Sequence, residues 1–267
     1  MAAAILFAEP MATLVRDWWT DSNAGYGLLL APLAVWLAWR AGLAPDRAPN
    51  VWLGTALLAL AVLLRYLGGL AAEQFTLRFS MVVAAAGLAV FAWGTVQVRR
   101  WWLPLTLFAL SIPLPVVVTN TLALPLQLKA SAIGAALLEW RQVPVRLAGN
   151  IIQLPGRQLF VTEACSGLRS LTALLSLGVL LGGISLRTWV GRALLVAVAI
   201  PVAIVVNAIR VFLTGFLVYF ADPKLGEGFI HLTEGWLLFI AAFALLGCLA
   251  WAAGLVESRL VPRRSNA

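Results

Sequence analysis

Seven stretches of this chain run for about the length of a bilayer crossing with few charges inside them, at roughly 24–40, 51–70, 79–98, 101–118, 166–184, 189–220 and 232–253. In hydrocarbon the backbone N–H and C=O groups find no water, so each run must close its own hydrogen bonds, as a helix does. Composition leaves little alternative. Of 267 residues, 62% are apolar and 11% charged, and the mean hydropathy is +0.95. A soluble enzyme, a secreted disulfide scaffold and an extended repeat array are excluded on these values. The expected fold is an all-α polytopic membrane protein with seven to eight transmembrane helices, forming a single integral-membrane domain over residues 1–267.

Two further stretches are open. Residues 1–20 are helix-like but interrupted by Glu9-Pro10 and closed by Arg16-Asp17, while 120–140 is apolar with Pro125 and Lys129 inside it. Each can lie in the interface, re-enter the membrane or span it. Glu9 and Pro10 stand where a signal peptide carries basic residues, so no cleavable leader is expected.

The chain carries 19 basic and 11 acidic residues, a net charge of +8. In a soluble domain such a balance suggests nucleic acid. Here the charges sit at the ends of apolar runs, so they act as topology determinants and no nucleic-acid partner is expected. One side collects Arg40, Arg47, Arg99, Arg100, Arg187, Arg192, Arg259, Arg263 and Arg264. The other has Arg16, Arg78, Lys129, Arg141, Arg146, Arg157 and Lys224, four of which lie in the long 119–164 segment, where the positive-inside rule gives them less weight. The first group is therefore expected in the cytoplasm, and the protein in the cytoplasmic (inner) membrane. Trp18-Trp19, Trp52, Trp101-Trp102 and Trp189 are read as span-end anchors at headgroup depth.

Residues 141–164 differ from the rest. Pro144, Gly149-Asn150 and Pro155-Gly156 punctuate short β-prone runs at Val145–Leu147, Ile151–Leu154 and Leu159–Thr162. A small extracytoplasmic hairpin or lid is expected, running directly into Cys165.

Three polar groups in or beside the spans need a reason. Arg65 is about five residues from a span end and can snorkel. Arg210 sits ten residues before Phe220, about 15 Å down an unbroken helix. Snorkelling does not cover that depth, so either the helix breaks near Gly215 or Arg210 faces a polar cavity, which Asn207 on the same helical face can share. The run Glu163-Ala164-Cys165-Ser166-Gly167-Leu168-Arg169-Ser170 opens the fifth span. A thiol in a helix's first turn meets unpaired N–H groups and the positive end of the dipole, and Arg169 adds a positive field. Equally, Cys165 can be a small packed residue, with Glu163 as cap and Ser166 bonding back to carbonyls. The one histidine, His231, starts the last span at the same membrane level, as a polar anchor or as a functional imidazole. Cys248 lies 17 residues deeper and is assigned to packing. Two cysteines and one histidine make no metal cluster, and neither a metal nor another cofactor is expected.

Such a set can perform acyl transfer. A thiolate attacks a peptide carbonyl to give a thioester, an imidazole moves the protons, and a guanidinium stabilises the tetrahedral oxyanion. EACSGLRSL at 163–171, NAIRVF at 207–212 and HLTEGWLLF at 231–239, in this order among apolar spans, resemble the exosortase/archaeosortase family. The resemblance covers about 24–255 and is strongest from 160 on. It implies Cys165 as nucleophile, Arg210 as transition-state stabiliser and His231 as general acid/base. It also implies a membrane-anchored protein substrate with a carboxy-terminal sorting signal, such as Pro-Glu-Pro followed by one span and a basic tail, often alongside exopolysaccharide assembly. Arg169 is the alternative oxyanion donor, Glu163 a possible orienting group for His231, and Asn207 a cavity partner. The rival readings are a transporter or polysaccharide-export component with Arg210 and Asn207 in its substrate cavity, and a serine protease using Ser166 or Ser170.

Overall fold

The computed structural model describes residues 5–21, 23–161, 167–220 and 228–260, with the backbone course alone over 228–234 and at 260. The chain is an all-α polytopic membrane protein carrying one small sheet. Its elements are α1 (Ala8–Thr20), α2 (Gly27–Ala41), α3 (Val51–Leu70), α4 (Gln74–Trp93), α5 (Thr95–Arg100), α6 (Trp102–Leu110), α7 (Val116–Trp140), β1 (Arg146–Ala148), β2 (Ile151–Leu154), β3 (Arg157–Phe160), α8 (Leu168–Ser185), α9 (Trp189–Phe220) and α10 (Gly228–Leu260). Among the described residues six helices are long and apolar enough to cross a membrane, namely α3, α4, α7, α8, α9 and α10, and α2 is a shorter apolar helix. The chain divides into two compact units, 1–116 and 117–267.

In the first unit, α3 and α4 are joined by a tight turn in which Glu73 caps α4, accepting from the N–H groups of Phe75 at 2.9 Å and Thr76 at 2.6 Å. Burial pushes the Glu73 carboxyl up, but hydrogen bonds from Thr76 and Phe75 outweigh it and hold the group below the usual carboxylate value. The span expected at 79–98 runs instead from Gln74 to Trp93. It stops at Gly94, whose φ of +83° ends the helix where a side chain would run into the Ala48 carbonyl. Arg78 consequently lies inside the helix and not in a loop. It is 4% exposed and held at 2.7 Å by Asp17 of α1, the compensation that a buried guanidinium requires.

The run expected as a span at 101–118 is also broken. Helix α6 ends at Leu110, because Pro113 and Pro115 drive the residues before them out of the helical region. The stretch left open at 120–140 belongs to the 25-residue α7. Residues 8–20 form an amphipathic helix that buries Pro10, Leu14 and Trp18. Trp19, Trp52 and Trp189 are largely exposed, as span-end anchors are, but Trp18 is 6% exposed and donates to the Ser111 carbonyl at 2.7 Å. Arg65 reaches Glu9 at 3.1 Å, so its charged end is paired with α1.

In the second unit α8, α9 and α10 pack together around Leu171, Leu174, Leu177, Leu195, Ala199, Ala203, Ala242 and Leu246. Small residues set the approach of the helices. Gly178 lies against Val196 and Gly182 against Arg192, fixing α8 and α9 antiparallel, while Gly134 and Leu138 of α7 meet Val211 and Gly215, so α7 and α9 run the same way. At the far end Glu257 of α10 accepts from the N–H groups of Arg187 and Thr188 and from the Thr188 hydroxyl, tying α10 to the start of α9. The hairpin expected at 141–164 is a three-stranded antiparallel sheet in the order β1-β2-β3. Its turns are the two punctuated pairs: Ala148 faces Ile151 across Gly149-Asn150, and Leu154 faces Arg157 across Pro155-Gly156. Alternation along β2 buries Ile152 and Leu154 beside Leu138 of α7 and Val211, Phe212 and Phe216 of α9, so the sheet sits over that end of the helices. Cys248, expected in the packing, is exposed on α10.

Candidate active site

Helix α9 is unbroken through Gly215, which removes one of the two accounts of Arg210. Its continuity holds Arg210 about 15 Å from the helix end, half-buried, at the level where α8 begins and α10 is beginning its descent.

One turn of α9 bears on both neighbouring helices. Asn207, 4% exposed, lies against Gly167, the residue before α8. A Cβ built on Gly167 would stand 2.7 Å from Asn207 Cγ and 2.9 Å from its Nδ2, and the backbone there has a φ of +78°. Both conditions ask for glycine, since an L side chain in the left-handed region is strained and no space exists for one. Arg210, three residues on and on the same face, lays its guanidinium on Gly235 of α10. A Cβ at Gly235 would stand 3.2 Å from Cζ, 3.3 Å from Nη2 and 3.5 Å from Nε. A cavity of about 10 Å³, the room of a single water, adjoins this turn between Leu126, Ala130, Gly167, Leu171, Ala203, Ile204 and Asn207.

The contacts tie the sequence motifs together. Gly167 follows Cys165 by two residues and Gly235 follows His231 by four, one helical turn. Cys165, Glu163 and Ser166 lie outside the described residues, and His231 is described through the backbone of α10 alone. Arg169 is exposed in the first turn of α8, whereas Arg210 is drawn into the bundle. Sequence reasoning passed over Gly167 and Gly235 as site residues, although each stands within a quoted motif. The available signal was a glycine at a helix entrance beside a candidate nucleophile, and another one turn after a candidate base. Among the described residues no group of three or more His, Cys, Asp or Glu side chains is placed to hold a metal ion.

Chemically, the turn offers a fixed cation and a buried amide in a largely apolar setting, where a guanidinium aimed at developing negative charge counts for more than it does in water. No curated protein and no solved structure matches the chain. A family model described as transmembrane exosortase (Exosortase_EpsH) matches residues 18–248, a span that contains the 163–171, 207–212 and 231–239 motifs and the turn joining them. By this match over most of its length, the chain belongs to the transmembrane exosortase family.

Proposed function

We propose that the protein is a membrane-embedded cysteine protease or transpeptidase that removes a carboxy-terminal sorting signal from exported, membrane-anchored proteins. The observation that carries the reading is the double contact of the Asn207–Arg210 turn, with Gly167 beside Cys165 in sequence and Gly235 one turn from His231. His231 takes the Cys165 thiol proton, and the thiolate attacks the scissile carbonyl carbon. Arg210 stabilises the resulting oxyanion. The C–N bond then breaks as His231 returns the proton to the leaving amine, and a thioester remains. Water or an acceptor amine, deprotonated by His231, attacks the thioester and releases Cys165. Glu163 is the proposed orienting group for His231, and Arg169, exposed at the helix entrance, is the second candidate oxyanion donor.

Family membership supports the sorting-signal substrate. Charge asymmetry supports placing the site on the extracytoplasmic side of the inner membrane, the more so because Arg78, counted against that orientation, is neutralised within the fold by Asp17. The sheet at the site end of α7 and α9 suits a wall for an extended peptide, and the exposed apolar helix faces suit a substrate whose own tail is a helix.

The test is coexpression with a membrane-anchored reporter ending in Pro-Glu-Pro, one apolar span and a basic tail. Cys165→Ala is expected to abolish cleavage while expression and membrane insertion persist. Cleavage continuing in that variant removes the thiol mechanism, and serine variants at 166 or 170 then become the next arm. Retained function in Cys165→Ala together with its loss in Arg210→Ala returns the transporter reading.

A further inference from the structure

Gly235 stands inside a 33-residue helix, where glycine is disfavoured relative to alanine. The reason visible in the structure is the guanidinium of Arg210, whose Cζ, Nη2 and Nε stand 3.2, 3.3 and 3.5 Å from where a Cβ would be. A second glycine of the same helix, Gly247, has nothing within 4 Å of that point, so it shares the local conformation without the neighbour. Spacing adds a further element. Gly235 is one turn from His231, so the helix that carries the imidazole also supplies the floor on which the guanidinium rests.

We propose that Gly235 is a positioning residue for Arg210: its bare backbone sets the height of the guanidinium relative to the turn that bears His231, and any side chain there lifts the cation off its working position. This rests on the exosortase reading above. A Cβ at this distance requires a displacement of a few tenths of an ångström, and misplacement by 1 Å of a group aimed at the reacting centre can cost about 100-fold in rate. An alanine is therefore expected to lower turnover by about 10-fold, at saturating reporter, with little change in KM.

The discriminating feature is that helix propensity and positioning predict opposite signs. Gly235→Ala and Gly247→Ala would be compared in the full-length protein carrying Cys248→Ala, by three measurements. These are thermal melting in detergent, turnover of the Pro-Glu-Pro reporter, and the rate of Cys165 alkylation by iodoacetamide. Gly247→Ala is expected to leave all three at parental values or to raise the melting temperature. Gly235→Ala is expected to melt at or above the parental temperature yet lose turnover and alkylate Cys165 several-fold more slowly, because the displaced cation no longer favours the thiolate. In an Arg210→Ala background the same substitution is expected to have no further effect on alkylation. Parental turnover and alkylation in Gly235→Ala would overturn the proposal, as would a lowered melting temperature, which assigns the glycine to helix packing, or an undiminished effect without Arg210. The cysteine mechanism itself fails separately, through a cleaving Cys165→Ala.

Discussion

Replacing Gly167 by alanine adds one methyl group where the entrance of α8 meets Asn207 of α9, and its cost separates into two measurable terms. The first is conformational. At φ +78° an L residue is strained, by about 1–2 kcal/mol. The second is steric. The new Cβ falls 2.7 Å from Asn207 Cγ, whereas carbon atoms in good contact are about 3.5–4.0 Å apart, so α8 and the Asn207 side chain must separate by about 1 Å. Overpacking of that kind costs about 1–3 kcal/mol. Gly149 provides the control, since it has a φ of +64° but nothing within 4 Å of an added Cβ. Gly149→Ala is thus expected to lose the strain term alone, about 1–2 kcal/mol, and Gly167→Ala about 2–5 kcal/mol, read by denaturant titration in mixed micelles. Turnover should separate the pair further. Gly149→Ala keeps cleavage, while Gly167→Ala loses about 100-fold because the entrance of α8, two residues after Cys165 in sequence, is displaced from Asn207. Adding Asn207→Ala to Gly167→Ala should recover only the part of the steric cost due to Cγ and Nδ2, because Asn207 Cβ itself stands 2.9 Å from the added Cβ, and none of the strain. Equal losses in the two alanine variants would refute the close approach of Gly167 and Asn207.

Three other outcomes follow from particular hydrogen bonds. Gln97 is fully buried, accepts from the Ala44 N–H at 2.8 Å and donates to the Gly42 carbonyl, so Gln97→Leu is expected to destabilise the first unit by about 1–3 kcal/mol in a thermal or denaturant melt. Glu257→Ala removes the acceptor for the Arg187 and Thr188 N–H groups and is expected to raise hydrogen exchange at 187–191, where wild-type exchange rates would contradict the tie between α10 and α9. Glu73 is held below the usual carboxylate value, so its contribution is full above the unfolded value of about 4.5 and is lost as pH falls through the lower folded one. Glu73→Gln should flatten the acid limb of the stability profile there and lower stability at neutral pH by about 1 kcal/mol.

Much of the architecture was readable along the chain because the relevant forces are local. Apolar runs at 51–70 and 189–220 are helices with those same bounds or nearly so, since hydrocarbon leaves the backbone no other way to satisfy itself. The punctuation of 141–164 by Gly149-Asn150 and Pro155-Gly156 likewise translated into strands and turns, with a third strand beyond the expected pair. Errors came where a local signal competed with another. Hydropathy ran straight through 101–118, but Pro113 and Pro115 ended the helix. Arg78 looked like a loop charge until Asp17, far away in sequence, supplied its partner.

Sequence alone thus determined that the chain is built of membrane-spanning helices and where the turns of its small sheet fall, because apolarity, proline and glycine act on their immediate neighbours. Tertiary structure decided what surrounds Arg210. Its depth in α9 was calculable from residue number, but the glycine beneath it comes from α10, and the glycine beneath Asn207 from the entrance to α8. Close approach between helices depends on which small residues come to face one another once the bundle is packed, and no periodicity within a single helix specifies that pairing.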